Sequence, residues 1–260
     1  MLNSSSSSEK ISDKAQEFRD GVQNSDNFLD SCDGGDAGSP IAPSVWLLGI
    51  EPGWSLSDQA RDDEKIETPT VGLKEYSIDL QLKWPFNRNA FKFLAALNDR
   101  SPSDYIDFAR SKRPFEKGAT GYFKGNLFPE AFNNIHSWDD QAVSTTGFAS
   151  KAQYQAWLRE VRFPIVRSWI EKCRPRLVIG AGLTHLHDFM AVTGTNDVPE
   201  PHRFEVNGHA KRVYLATSGA VSVAVIPHLS GGSHGLNSDE AISRAAQFIR
   251  IKLASMDIDP

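Results

Sequence analysis

The chain reads as an α/β protein, a three-layer α/β/α sandwich around a central, mostly parallel sheet. Three observations carry that expectation. Val45–Gly49, Arg176–Gly182 and Val223–Ile226 are apolar runs of strand length without polar alternation, as strands buried on both faces require. Segments of helical period separate them: Ala90–Leu97, Ser150–Cys173 and the stripe Ile242, Ala245, Ala246, Ile249, Leu253. Strands alternating with helices, without internal repeats, make a layered sheet with helices on its faces.

The 260 residues are enough for one sizeable α/β domain. Residues 1–42 are rich in Ser, Asp, Gly and Asn and poor in apolar side chains, so they are expected to be a disordered tail, with a short helix around Ile11 to Phe18 as the one alternative. Residues 43–260 form the folded domain. The tail carries eight acids and three bases, which accounts for the whole formal charge of −5; the remainder holds 25 of each. A neutral domain permits a local basic groove without requiring one. No apolar run reaches the roughly 18 residues that span a bilayer, and the start of the chain is not a signal peptide. Cys32 and Cys173 are too few for a disulfide framework or a cysteine metal cluster. A cytoplasmic, intracellular protein without membrane partner, metal or cofactor is expected, and a monomer.

In chain order, Val45–Gly49 opens the domain, and Trp54–Glu75 reads as a long loop over its carboxyl end. Phe93, Leu94 and Leu97 keep helical spacing after Lys83-Trp-Pro-Phe-Asn87. Arg110, Lys112, Arg113, Lys117 and Lys124 interleave with Tyr105, Phe108, Phe115 and Tyr122, a composition suited either to nucleic-acid stacking or to a solvated helix face over core aromatics. Gly121–Pro129 reads as a second strand ending in Asn126. The helical segment Ser150–Cys173 puts Trp157, Leu158, Val161, Ile165, Trp169 and Ile170 on one side, and Pro164 should kink or divide it. A helix follows over Leu186–Met190, then strands over Arg212–Ala216 and Val221–Ile226. The last helix starts after Ser238, with Asp239 and Glu240 suited to its positive end.

Two stretches carry chemistry. Gly49-Ile50-Glu51-Pro52-Gly53 holds one carboxylate in a rigid turn at a strand's carboxyl end, where open α/β sheets place ligands. Pro227-His228-Leu229-Ser230-Gly231-Gly232-Ser233-His234 puts a histidine at another strand end, before a small-residue loop able to face an anion with N–H groups and hydroxyls. A zinc site would want a third protein ligand beside the two histidines, and none is near in sequence.

Together these stretches resemble the two signature motifs of the uracil-DNA glycosylase superfamily, Gly-x-(Asp/Asn)-Pro-(Tyr/Gly) and a His-Pro-Ser-Pro-x-Ser type. Asn126 matches in order and setting the asparagine with which that family reads the uracil edge. Arg174-Pro-Arg-Leu-Val-Ile-Gly-Ala-Gly182 is similar to its Pro-x-x-Val-Val-x-Leu-Gly strand. The resemblance spans residues 43–255 and implies a uracil-DNA glycosylase-like fold. The implied activity is hydrolysis of the N-glycosidic bond of uracil or another deaminated base in DNA. It implies that Glu51 positions water and His228 stabilises the departing base. Asn126 would select that base within a pocket edged by Gly49, Ile50, Pro52 and Gly53. Ser230, Gly231, Gly232 and Ser233 would grip phosphates, and Phe86 or Trp84 would stack on the base.

The sequence also departs from the family. Glu51 stands for Asp or Asn and reaches one methylene further, and misplacement by about 1 Å can lower a rate a hundredfold. Gly53 stands where some branches carry a tyrosine that excludes thymine, and Leu229 stands for a proline. The cysteines of the iron–sulfur branches are missing, so no cluster is implied. The rival expectations are a superfamily-like fold that binds nucleic acid or a nucleotide without cleavage, and an unrelated α/β enzyme using Glu51 and His228 as an acid–base pair.

Overall fold

The structure, a computed structural model, describes residues 12–52, 76–130, 138–219, 221–229 and 232–256. Its elements in chain order begin with helix α1 (Asp13–Gln23) and the short strands β1 (Gly34–Gly35), β2 (Gly38–Ser39) and β3 (Ala42–Pro43). Strand β4 (Val45–Gly49) is followed by helices α2 (Ile78–Gln81), α3 (Pro85–Leu97) and α4 (Tyr105–Lys112). Then come β5 (Tyr122–Asn126), α5 (Asp140–Thr146), α6 (Lys151–Cys173), β6 (Leu177–Ala181) and α7 (Leu186–Val192). Strands β7 (His202–Val206), β8 (His209–Ser218) and β9 (Val221–Ile226) precede the last helix, α8 (Asp239–Ala254). The long loop expected over Trp54–Glu75 lies outside the described residues.

One sheet of seven strands runs in the order β1-β5-β4-β6-β9-β8-β7. Its centre, β5-β4-β6-β9, is parallel, whereas β1, β8 and β7 join antiparallel. The sheet is therefore mixed around a parallel middle. The apolar runs account for that middle, since β4, β6 and β9 are buried at every position. Alternate residues serve opposite faces. Val45, Leu47, Ile179 and Ile226 pack with the apolar sides of α3, α4 and α8. Trp46, Leu48, Val178 and Val225 pack with α6 and α7. Helices thus cover both faces. Among the described residues no helix is long and apolar enough to cross a membrane.

Three expectations need correction. Residues 12–42 are folded onto the domain: Phe28 is 3% exposed and stacks near Trp46, Phe123 and Trp169, and β1 pairs with β5. Their apolar residues are few, but Ala15, Val22, Phe28 and Cys32 are all buried, so little surface sufficed. Pro164 does not divide α6. The helix buries the row Tyr154, Leu158, Arg162, Val166, Ile170, spaced by four, while the neighbouring row of Trp157, Val161, Ile165 and Trp169 is only partly buried. That packing offsets the lost proline hydrogen bond. Strand β7 was not anticipated, because only Phe204 and Val206 of its five residues are buried. Of the two readings of the basic and aromatic segment, the core one holds: Phe108, Phe115 and Tyr122 are buried and cannot stack on nucleic acid, while Arg110 and Arg113 pair with Asp79 and Glu116.

Removing the Phe28 ring should lower the unfolding free energy by about 3–5 kcal/mol, the range for buried Phe to Ala. Urea titration of Phe28→Ala beside the parent measures this. An unchanged midpoint would show that residues 12–42 are not part of the cooperative unit.

Candidate active site

The three residues singled out from the sequence share one end of the parallel strands. Leu48 of β4 is level with Gly125 of β5 and Gly180 of β6, and Gly180 is level with Val225 of β9. From that level Glu51 and His228 each follow by three positions and Asn126 by one. With strands about 4.8 Å apart, Asn126 lies one strand from β4 and His228 two strands from it on the other side.

Glu51 leaves β4 through a turn in which Gly49 and Ile50 accept the N–H groups of Leu127 and Phe128. Its side chain is 6% exposed and meets Lys151, the first residue of α6. Lys151 Nζ donates to Oε1 at 3.1 Å. It also lies 2.8 Å from Oε2, out of hydrogen-bond alignment, so among the described residues Oε2 keeps lone pairs for another donor. A lysine is the wrong sign for a helix N-terminus, and α6 has no acid in its first turn. Glu51 supplies the compensating charge. Ile50 turns inward, its Cδ1 2.6 Å from where a Cβ on Gly182 would stand, and His228 Cδ2 lies 3.8 Å from the same point. Pro52 is half-buried; Gly53 lies outside the described residues.

Asn126 ends β5 opposite Gly49 and is 4% exposed. Its carbonyl and that of Leu127 accept from Arg162, a guanidinium buried in the row described above, which also donates to Ser31. In the side chain, Nδ2 donates to Asp33 at 3.2 Å, while Oδ1 sits against Gly49, where a Cβ would approach it to 2.4 Å. A glycine at 49 is therefore required for this amide to lie beside β4. Asp33 also pairs with Lys124 at 3.0 Å, and Lys124 Nζ donates to Asn87 at the start of α3.

His228 follows β9 and lies 5.3 Å, ring to ring, from Phe86. Phe86 in turn has the Lys124 ammonium 5.2 Å from its centroid, so it stands between β5 and β9. Helix α3 fixes that wall from both sides, since Asn89 donates to the carbonyl of Leu229 at 2.7 Å. Trp84, the other stacking candidate, meets Tyr76 edge-on. One side of His228 is open to solvent, yet its neighbours strip enough water to lower its pKa below the ordinary histidine value, so the ring is neutral at pH 7. After His228, Ser230 and Gly231 lie outside the described residues. Gly232 and Ser233 are exposed, and Lys211, itself 4% exposed, donates to the carbonyls of Ser233 and Gly235, tying this loop to β8. The end of β6 holds a closed ion cluster, in which Asp188 accepts from Arg159 and contacts His185. A cleft of about 490 Å³ beside Asp36, Trp169 and Cys173 contains none of the expected site residues.

The arrangement offers a carboxylate, a neutral imidazole and a primary amide at one end of the parallel strands, with an aromatic ring beside the imidazole. It can orient water, donate to an oxygen gaining charge, and read a donor–acceptor edge. Sequence reasoning missed Lys151, Asp33, Lys124, Arg162 and Lys211 as parts of this setting. Only Lys151 had a signal, its misplacement at a helix start. Compared with known proteins, the chain matches no family model and no curated protein.

A neutral, partly desolvated His228 links stability to pH. Its folded pKa is depressed, so below the unfolded value of about 6.5 the unfolded chain binds more protons and stability falls as pH drops. His228→Gln should therefore lose less thermal stability than the parent between pH 7 and 5. Equal losses measured by thermal denaturation would contradict the neutral histidine.

Proposed function

We propose that the protein is a DNA glycosylase that hydrolyses the N-glycosidic bond of uracil or another deaminated base. One observation carries the reading: Glu51, Asn126 and His228 follow neighbouring strands at the same end of the parallel sheet, with Phe86 beside His228. The resemblance of their motifs to the uracil-DNA glycosylase superfamily, and a helix-covered α/β sheet, support it.

A base swung out of the stack would lie on Phe86, at a price of a few kcal/mol that is least in single strands and mismatches. As the bond from C1′ to the base nitrogen breaks, its electron pair goes to the base and positive charge grows on the sugar. The neutral His228 N–H donates to the base oxygen that takes up the negative charge. Glu51 holds water beside C1′ and accepts its proton as the new C–O bond forms. Asn126 reads the base edge with Oδ1 and Nδ2. Exposed Ser233 and Gly232, on the loop tied down by Lys211, face the flanking phosphates.

A second reading, binding of nucleic acid or a nucleotide without cleavage, is favoured by the Lys151 ammonium on the Glu51 carboxylate. It opposes the charge that Glu51 would bring to the sugar.

The test is base release from single- and double-stranded DNA containing uracil, hypoxanthine or xanthine. The parent should release one of them, and Glu51→Ala and His228→Ala should each lower the rate by about 10²–10⁴-fold. DNA bound with no base released would leave the binding reading.

A further inference from the structure

The base-reading amide is not held by the sheet alone. Asp33, in the N-terminal segment, lies just before β1, on the side of β5 away from β4. Its place is fixed by its neighbours. The Asp33 N–H donates to the Lys124 carbonyl, Cys32 is 1% exposed with its sulfur against Gly125, and Phe28 is stacked in the core.

Asp33 Oδ2 takes Lys124 Nζ at 3.0 Å and Asn126 Nδ2 at 3.2 Å. An ionised carboxylate only accepts hydrogen bonds, so it tolerates the amide nitrogen of Asn126 and repels the amide oxygen. The amide is thereby oriented, with Nδ2 towards the outer edge of the sheet and Oδ1 towards Gly49 and β4.

That orientation has a chemical meaning in a pocket where His228 lies beyond β4 on the opposite side. Passing from β9 to β1, the groups met are the His228 donor, the Asn126 acceptor Oδ1 and then the Asn126 donor Nδ2. The uracil edge presents O2, N3–H and O4 in the matching order. Cytosine presents O2, then an acceptor N3 and a donor N4–H₂, which would need the amide reversed. We propose that Asp33 is a positioning residue that sets the polarity of Asn126, so that the pocket accepts a deaminated pyrimidine and rejects its amino parent. The substrate half of this statement rests on the glycosylase reading; the orientation half does not.

Reversing the amide in the parent means breaking a hydrogen bond to a charged group, which corresponds to about tenfold to a hundredfold in discrimination. The experiment compares the parent, Asp33→Ala and Asp33→Asn. Asp33→Asn keeps an oxygen for both Lys124 and Asn126, and so serves as the conservative rescue. Two readouts are taken: the Asn126 side-chain amide resonances by NMR, assigned with Asn126→Asp, and the affinity for free uracil against free cytosine by calorimetry. Urea titration verifies that each variant is folded.

The expected result is that Asp33→Ala shifts the Asn126 Nδ2 proton resonances and lowers the uracil preference about tenfold or more, while Asp33→Asn retains most of both. A uracil preference unchanged in Asp33→Ala overturns the proposal and leaves the glycosylase reading standing. If the parent binds neither base, the glycosylase reading fails and the substrate half of the proposal with it. Asn126 resonances unchanged in Asp33→Ala overturn the orientation half whatever the bases do.

Discussion

A strand with no solvent face organises this molecule. Every residue of β4 is buried, so its side chains must be covered above and below and its backbone groups paired on both edges. Parallel neighbours on both sides meet the second demand, and helices on both faces meet the first. Parallel strands also end together. The chain that leaves β4 therefore emerges beside those leaving β5 and β9, and side chains far apart in sequence share one edge. Glu51, Asn126 and His228 share one end of the sheet because β4 is buried.

The same burial makes charge at that edge demanding. Glu51, Lys151, Asp33, Lys124, Arg162 and Lys211 are all largely removed from water, where an unpaired ion is costly. Each is answered by a partner of definite position. Glu51 faces Lys151, Lys124 faces Asp33, and Arg162 and Lys211 each reach two backbone carbonyls. These partners come from the N-terminal segment, α6 and β8, so the edge is held by elements that carry none of the proposed chemistry. The resulting preorganisation suits a reaction in which charge appears on sugar and base together.

Much of the architecture was legible in the amino-acid order. Continuous apolar runs announced β4, β6 and β9, and Ser238 with Asp239 and Glu240 announced the start of α8, where the Ser238 hydroxyl accepts the Ala241 N–H. What escaped was whatever depended on a partner distant in sequence. The segment over residues 12–42 has too few apolar residues to read as folded, yet Phe28 and Cys32 find a cavity that the sheet supplies. Arg162 occupies a buried row because two carbonyls at the end of β5 await it, and no local pattern reveals that. Strand β7 hid behind Arg203 and Glu205, whose side chains point away from the core, and behind a polar His202 that shares the face of Phe204 and stacks on Phe248. At the site, the positions of Glu51, Asn126 and His228 followed from strand ends alone. Asp33 is a long-range partner and could be found only in three dimensions, whereas Lys151 left one local sign, a cation at a helix start.

The glycosylase proposal requires that these strand ends take up a flipped pyrimidine, and a crystal structure of the protein with free uracil is its sharpest test. The expected density is a ring lying on Phe86, with O2 towards His228, N3–H towards Asn126 Oδ1 and O4 towards Nδ2. Uracil bound away from Phe86, or an Asn126 amide directed away from the bound base, would rule the glycosylase site out.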